Sequence, residues 1–213
     1  SKYVHRPVIA AASLAAFMLA GSIHAAQGHT QARKSSTPAP LALQQFTAQQ
    51  PGILINKTLD GRINKIAGHA FANGNSPLDA AGDFIELHAG IFGIDASELE
   101  AGRPFAGGLE EQPLMYDRST NTYKFTNMYY HQSVDGIPVF GSRLSLLVKN
   151  TPGHPVVQAT SDLKPIGDFR PGINRGATPD LGKAMATGTR FLGQPVRLAS
   201  DPAYVIFAGG GNE

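Results

Sequence analysis

The chain has 213 residues, with 18 basic and 16 acidic side chains, 24 glycines, 15 prolines and no cysteine. The absence of cysteine excludes disulfides, thiolate metal sites and a lipidated N-terminal cysteine. Near-balanced charge offers no basic face for a phosphate backbone, so nucleic acid is not an expected partner, and the glycine and proline content reads as turn-rich, short of disordered.

Lys2, His5 and Arg6 form a basic leader, Val8 to Leu19 is apolar apart from Ser13, and Ile23-His24-Ala25-Ala26 supplies small residues for cleavage. Residues 1–25 are therefore read as a signal peptide. A spanning helix needs about 20 apolar residues; the run from Pro7 to Gly21 is shorter, so no membrane association is expected after cleavage. Loss of Lys2 and Arg6 leaves 16 basic against 16 acidic residues, a formally neutral mature chain. An exported chain without disulfides points to a bacterial periplasm or medium. Residues 26–50 are read as a linker, with Arg33 to Pro40 its polar centre and Leu41–Gln50 open to a short helix or an extended lead-in.

Ile53-Leu54-Ile55 and Ile63-Asn64-Lys65-Ile66 flank Asp60-Gly61. Asp-Gly between apolar runs predicts a hairpin with a type I′ turn, closed by Gly68. Ser76, Pro77 and Asp79 then open a helix, as cap, first-turn proline and acid at the positive dipole end. Ala81, Phe84, Ile85, His88, Ile91 and Phe92 recur at spacings of three and four, one apolar stripe that Gly93 can close in a left-handed conformation. Residues 101–121 read as irregular, broken by Gly107-Gly108 and Gln112-Pro113. Tyr123–Gln132 is an aromatic strand, Asp135-Gly136 its turn, and Leu144, Leu146 and Val148 alternate with polar residues on the return strand. After Asn150–Pro155 turns the chain, Val156–Ser161 completes an antiparallel meander. From Ala177 a second unit is expected, with Thr178-Pro179-Asp180 as cap, proline and acid, a helical face from Leu181 to Leu192, and strands at Val196–Leu198 and Tyr204–Phe207. One helix and two short strands cannot bury a core of their own, so the sequence is expected to stop inside a domain. Gly209-Gly210-Gly211 reads as a flexible end.

The motifs of catalysis are missing. None of His5, His24, His29, His69, His88, His131 and His154 begins a His-Glu-x-x-His zinc motif. His88 reads as a core or boundary histidine, and His131 as a residue of the fold or of a partner contact. No Gly-x-Ser-x-Gly elbow and no phosphate-binding glycine loop with its lysine occurs. Glu110, Glu111 and Asp117 read as solvated loop charges with nothing to part their pKa values, and Tyr123, Phe125, Tyr129 and Tyr130 as sheet packing. No catalytic, cofactor-binding or metal-binding residue is assigned.

Three segments in order carry a family likeness: the hairpin ending Ile66-Ala67-Gly68-His69, the helix from Ala80 to Ile94, and Tyr130-His131-Gln132-Ser133-Val134-Asp135-Gly136-Ile137-Pro138-Val139-Phe140-Gly141 with its following strands to Pro165. Together they resemble the fungalysin/thermolysin propeptide domain, over residues 51–166. Residues 177–213 look like the truncated N-terminal part of a PepSY domain. The resemblance implies an α+β fold, a helix packed on an antiparallel meander sheet followed by a partial, cystatin-like helix-plus-sheet unit. It also implies a non-catalytic pro-region of an exported zinc metallopeptidase precursor, an intramolecular chaperone and inhibitor whose partner is the cognate peptidase domain in cis. Zinc is then expected only in that downstream domain. A free-standing periplasmic inhibitor or binding module, and a structural N-terminal domain of a surface protein, are the alternatives. Gly136 is expected to serve the turn, Pro138 to sit at an edge or bulge, Gly141 to form a second bulge, and Gln132 to tie strands through its amide.

Overall fold

A computed structural model of the chain describes residues 39–104, 108–173, 178–197 and 203–209. The expected signal peptide, the linker before Ala39, Ala177, Leu198 and the end from Gly210 lie outside the described residues.

The order along the chain is α1 (Ala39–Gln49), β1 (Leu54–Lys57), β2 (Ile63–Ala72), α2 (Pro77–His88), β3 (Leu99–Ala101), β4 (Glu111–Asp117), β5 (Thr122–Val134), β6 (Ile137–Lys149), β7 (Val156–Ser161) and α3 (Leu181–Leu192). All strand pairs are antiparallel, and the sheet runs β1-β2-β7-β6-β5-β3, with β4 also on the outer edge of β5. The expected α+β class and the β5-β6-β7 meander are present.

α2 forms where its caps predict. Ser76 is extended, and its hydroxyl accepts from the Asp79 N–H at 3.1 Å, the forward bond of a capping box. Pro77 occupies the first turn, where its missing N–H costs nothing. Ala80, Ala81, Phe84 and Ile85 are buried, and a 3-10 turn over Ala89–Phe92 carries the stripe on through Ile91 and Phe92 before Gly93 ends it at φ 77°. This face covers Ile66 of β2, Met128 and Tyr130 of β5, Leu144, Leu146 and Val148 of β6, and Val156 and Ala159 of β7. On β6 the intervening Ser145, Leu147 and Lys149 are half-buried or exposed, the alternation of a sheet with one packed face.

The segment Leu41–Gln50 settles as most of the helix α1, Ala39–Gln49, inside the segment assigned to the linker. Phe46 drives it into the core, edge-on to Phe71 at 6.1 Å and His88 at 5.0 Å between ring centroids. The Asp-Gly hairpin between β1 and β2 forms, but not with a type I′ turn. Gly61 alone takes positive φ (83°), Asp60 does not, and Gly61 N–H reaches Thr58 O at 2.9 Å while Thr58 N–H reaches Arg62 O at 2.8 Å. This is a turn closed by a left-handed glycine bulge, and the Asp60 carboxylate accepts from Thr58 Oγ1 and from Arg62 Nε at 2.6 Å, which holds its pKa below the ordinary value. Nor does Gly68 end the strand: at φ 137° it lies in the bulge where the β2–β7 register jumps from Ala67↔Gln158 to Ala72↔Val156.

The stretch read as irregular, residues 101–121, contains β4 and the last residue of β3. β4 pairs with β5 from Glu111↔Met128 to Asp117↔Thr122, and Met115 sits in left-handed backbone at φ 58°. The cap of α3 is Asp180, whose carboxylate accepts from the Lys183 N–H at 2.9 Å; Thr178 is not the cap and Pro179 precedes the helix. α3 buries none of its residues, and Phe191 and Leu192 are exposed. Tyr204–Phe207 is no strand of a second sheet. Ile206 makes one isolated parallel bridge, to Val139 of β6. Among the described residues no helix is long and apolar enough to cross a membrane.

Candidate functional site

The aromatic hairpin is where polar groups gather. Its turn is type I′, with Asp135 at φ 53° and Gly136 at φ 74°, joining Val134 to its partner Ile137. Beyond it the β5–β6 register jumps from Ser133↔Pro138 to His131↔Arg143. Five intervals of β6 thus span a distance covered by two intervals on β5, and Gly141, at φ 68°, takes the left-handed step of that bulge. Pro138 lies at its start, as expected of a residue with no N–H.

The bulge turns Ser142 inward onto Gln132, which is fully buried. Gln132 Nε2 donates to Glu98 Oε2 and to the Lys164 carbonyl, both at 2.9 Å. Its Oε1 accepts from Ser142 Oγ at 2.5 Å and from the Lys164 N–H at 3.1 Å. Both amide hydrogens and both lone pairs are used. The side chain therefore does for Lys164 what a neighbouring strand would do, pairing with its N–H and its C=O together. It ties β5 to the turn before β3 and to the segment leaving β7, as expected of an amide that joins strands.

The opposite face of β5 is closed as well. Tyr129, His131 and Ser133 should face solvent by alternation, yet all three are buried. His131 Nδ1 donates to the Gly102 carbonyl at 3.0 Å, and its Nε2 lies 3.7 Å from Glu100 Oε2. A carbonyl only accepts, so this bond fixes the proton on Nδ1. Ser133 Oγ donates to Glu100 Oε1 at 2.5 Å. Tyr129 donates its hydroxyl to Gln112 at 2.6 Å, and the Arg103 guanidinium lies over its ring at 3.5 Å. Among the described residues the buried Tyr130 hydroxyl has no hydrogen-bond partner, and burial, aided by the Glu110 charge, pushes its pKa up to about 12. The side chains of His131, Gln132 and Ser133 are spent on holding backbone or a neighbouring strand. A groove of about 280 Å³ remains between Gly102–Pro104 and Phe140–Arg143.

His88 is half-buried between Phe46 and Phe84, and desolvation lowers its pKa from the ordinary 6.5. Glu111 and Asp117 lie on strand β4, not in a loop; Asp117 accepts from Ser119 and pairs with Lys124 at 3.4 Å, which lowers its pKa. Tyr123 stacks on Tyr116 across β4 and β5, with 5.1 Å between centroids. Among the described residues no three His, Asp or Glu side chains converge as a metal site would require. Glu98, Glu100, Ser142, Lys164 and Ile206 were not singled out from sequence, and the inward turn of Ser142 is the only one of these roles with a local signal, the glycine before it.

No family model, curated protein or solved structure matches the chain.

Proposed function

We propose that this chain is the non-catalytic pro-region of an exported zinc metallopeptidase precursor, which assists folding of the peptidase domain and inhibits it until removal. The observation that carries the reading is the state of the Tyr130–Gly141 motif. Its Gln132, Ser133 and His131 are buried and engaged with Glu98, Glu100, Gly102 and Lys164, so the residues that carry the family likeness serve as a clasp for the sheet. A helper of this kind works through a preformed surface. A rigid sheet lowers a partner's folding barrier by offering contacts that the partner's own transition state lacks, and blocks the cleft in the same complex. The half-solvated face of the sheet and the apolar side chains left exposed at Phe140, Phe169, Phe191 and Phe207 supply such surface. Titration of purified residues 26–213 against a thermolysin-like zinc peptidase tests the proposal. Saturable inhibition approaching one-to-one stoichiometry is expected, and undiminished peptidase activity at a large excess of the chain would contradict it.

A further inference from the structure

On its β7 side, the edge of β6 between Pro138 and Gly141 has no strand of the sheet beside it. β7 stops at Ser161 opposite Leu144, so it does not reach this stretch. Pro138 and Phe140 turn backbone groups to that edge, and the segment 203–209 takes them. Ile206 N–H donates to Pro138 O at 2.8 Å, and Phe140 N–H donates to Ile206 O at 2.8 Å. The Ile206 side chain is buried in a pocket of Val134, Ile137, Val139 and Ile166, separate from the main core. Phe207 lies against Phe140 at 6.3 Å between ring centroids, and Lys164 Nζ reaches the carbonyls of Phe140 and Gly209 at 3.3 and 3.5 Å.

The geometry points to a strand-addition site that recognises an aliphatic–aromatic pair in an extended segment, and to 203–209 as a displaceable strap that occupies it. Strand addition takes affinity from backbone bonds and selectivity from pockets for alternate side chains; here the pocket admits one branched aliphatic residue, and the next residue stacks on Phe140. The strap is light. Among the described residues its backbone pairs with β6 only at Ile206, Tyr204 and Val205 are exposed, and Phe207 is 68% exposed. Removing it leaves the α2 core untouched, because Ile206 belongs to the small cluster alone. The site operates in the same way whether or not a peptidase is the partner, since any unfolded chain offers aliphatic–aromatic pairs.

The test uses Ile206→Asp in the full chain and a fluorescent peptide of sequence Ala-Tyr-Val-Ile-Phe-Ala-Gly, that of residues 203–209. The peptide is expected to bind Ile206→Asp at least about tenfold more tightly than the wild-type chain, whose own strap competes. The same peptide carrying Asp for Ile should bind neither. Amide exchange at Phe140 should accelerate in the variant while that at Leu146 keeps its protection. Equal peptide affinity for both proteins, unchanged exchange at Phe140, or loss of protection at Leu146 would each overturn the proposal, the last by making the segment an integral part of the fold. Ile206→Ala repeats the measurement with a milder change, and should give the same direction with a smaller ratio.

Discussion

Replacing Gln132 with leucine tests the clasp at its centre. The two side chains are close in size, so the change removes four hydrogen bonds and little packing. Glu98 Oε2, Lys164 O and the Ser142 hydroxyl each lose their amide partner, while the Lys164 N–H keeps Ser142 Oγ at 3.1 Å. A buried polar group left without a partner costs about 1–3 kcal/mol. Two such groups, the Lys164 carbonyl and the Ser142 O–H, partly offset by the added apolar surface, give about 2–4 kcal/mol, a large share of the roughly 5–15 kcal/mol that holds a domain together. Urea unfolding followed by far-UV circular dichroism reads this directly, as a midpoint lowered by roughly 2 M with an unchanged slope. Gln158→Leu is the control: among the described residues its amide hydrogen-bonds only Thr160, at 3.3 Å, and the change should stay within about 0.5 kcal/mol. Gln132→Glu sharpens the test. It sets a carboxyl against Glu98 and a carbonyl, with burial and like charge both raising its folded pKa above the unfolded value. That variant should be least stable at neutral pH and recover relative to wild type as pH falls through the raised pKa. A loss below about 1 kcal/mol for Gln132→Leu would refute the idea that the motif glutamine holds the sheet together.

Tyr130→Phe should stabilise the protein by about 1 kcal/mol, because it deletes a buried hydroxyl with no partner. In the wild type the phenol titrates at about 12, above its unfolded value of 10.0, so the unfolded chain loses that proton first; stability should fall between those pH values, and Tyr130→Phe should abolish this part of the loss. His88 has the opposite sign of effect. Its folded pKa lies below the ordinary 6.5, so stability falls as pH drops below that value; His88→Leu should flatten thermal midpoints measured between pH 7 and pH 5. Ser76→Ala should cost about 1 kcal/mol in urea unfolding by removing the acceptor for the Asp79 N–H.

The parts of the fold legible in the sequence are those whose signals are local. Ser76, Pro77 and Gly93 bracket α2 because caps and left-handed closures act within a turn. Asp135-Gly136 fixes the β5–β6 hairpin because both of its residues need positive φ. The same dipeptide at Asp60-Gly61 misleads, since Thr58 and Arg62 bind the Asp60 carboxylate and a five-residue loop with a bulge forms instead. β4 escapes notice because an edge strand with almost every side chain exposed has no buried alternation to read, and Pro113 and Met115 interrupt it further. β3 is three residues long and exists only through its pairing with Tyr130–Gln132. The clasp was half legible. Gln132 stands out as an amide in an aromatic strand, but Glu98 and Lys164 are 34 and 32 residues away and nothing near them announces the contact. Ile206 looks like part of a strand, and its partner on β6 is decided by where β7 happens to stop.

The most direct measurement of the escort role is recovery of activity by a denatured thermolysin-like peptidase domain, diluted from denaturant with and without residues 26–213 added in trans. The account predicts a yield of folded peptidase several-fold higher with the chain present, its activity appearing only after the chain is digested away. Gln132→Leu should lose the effect in proportion to its unfolded fraction. An unchanged yield in the presence of the folded wild-type chain would contradict the account.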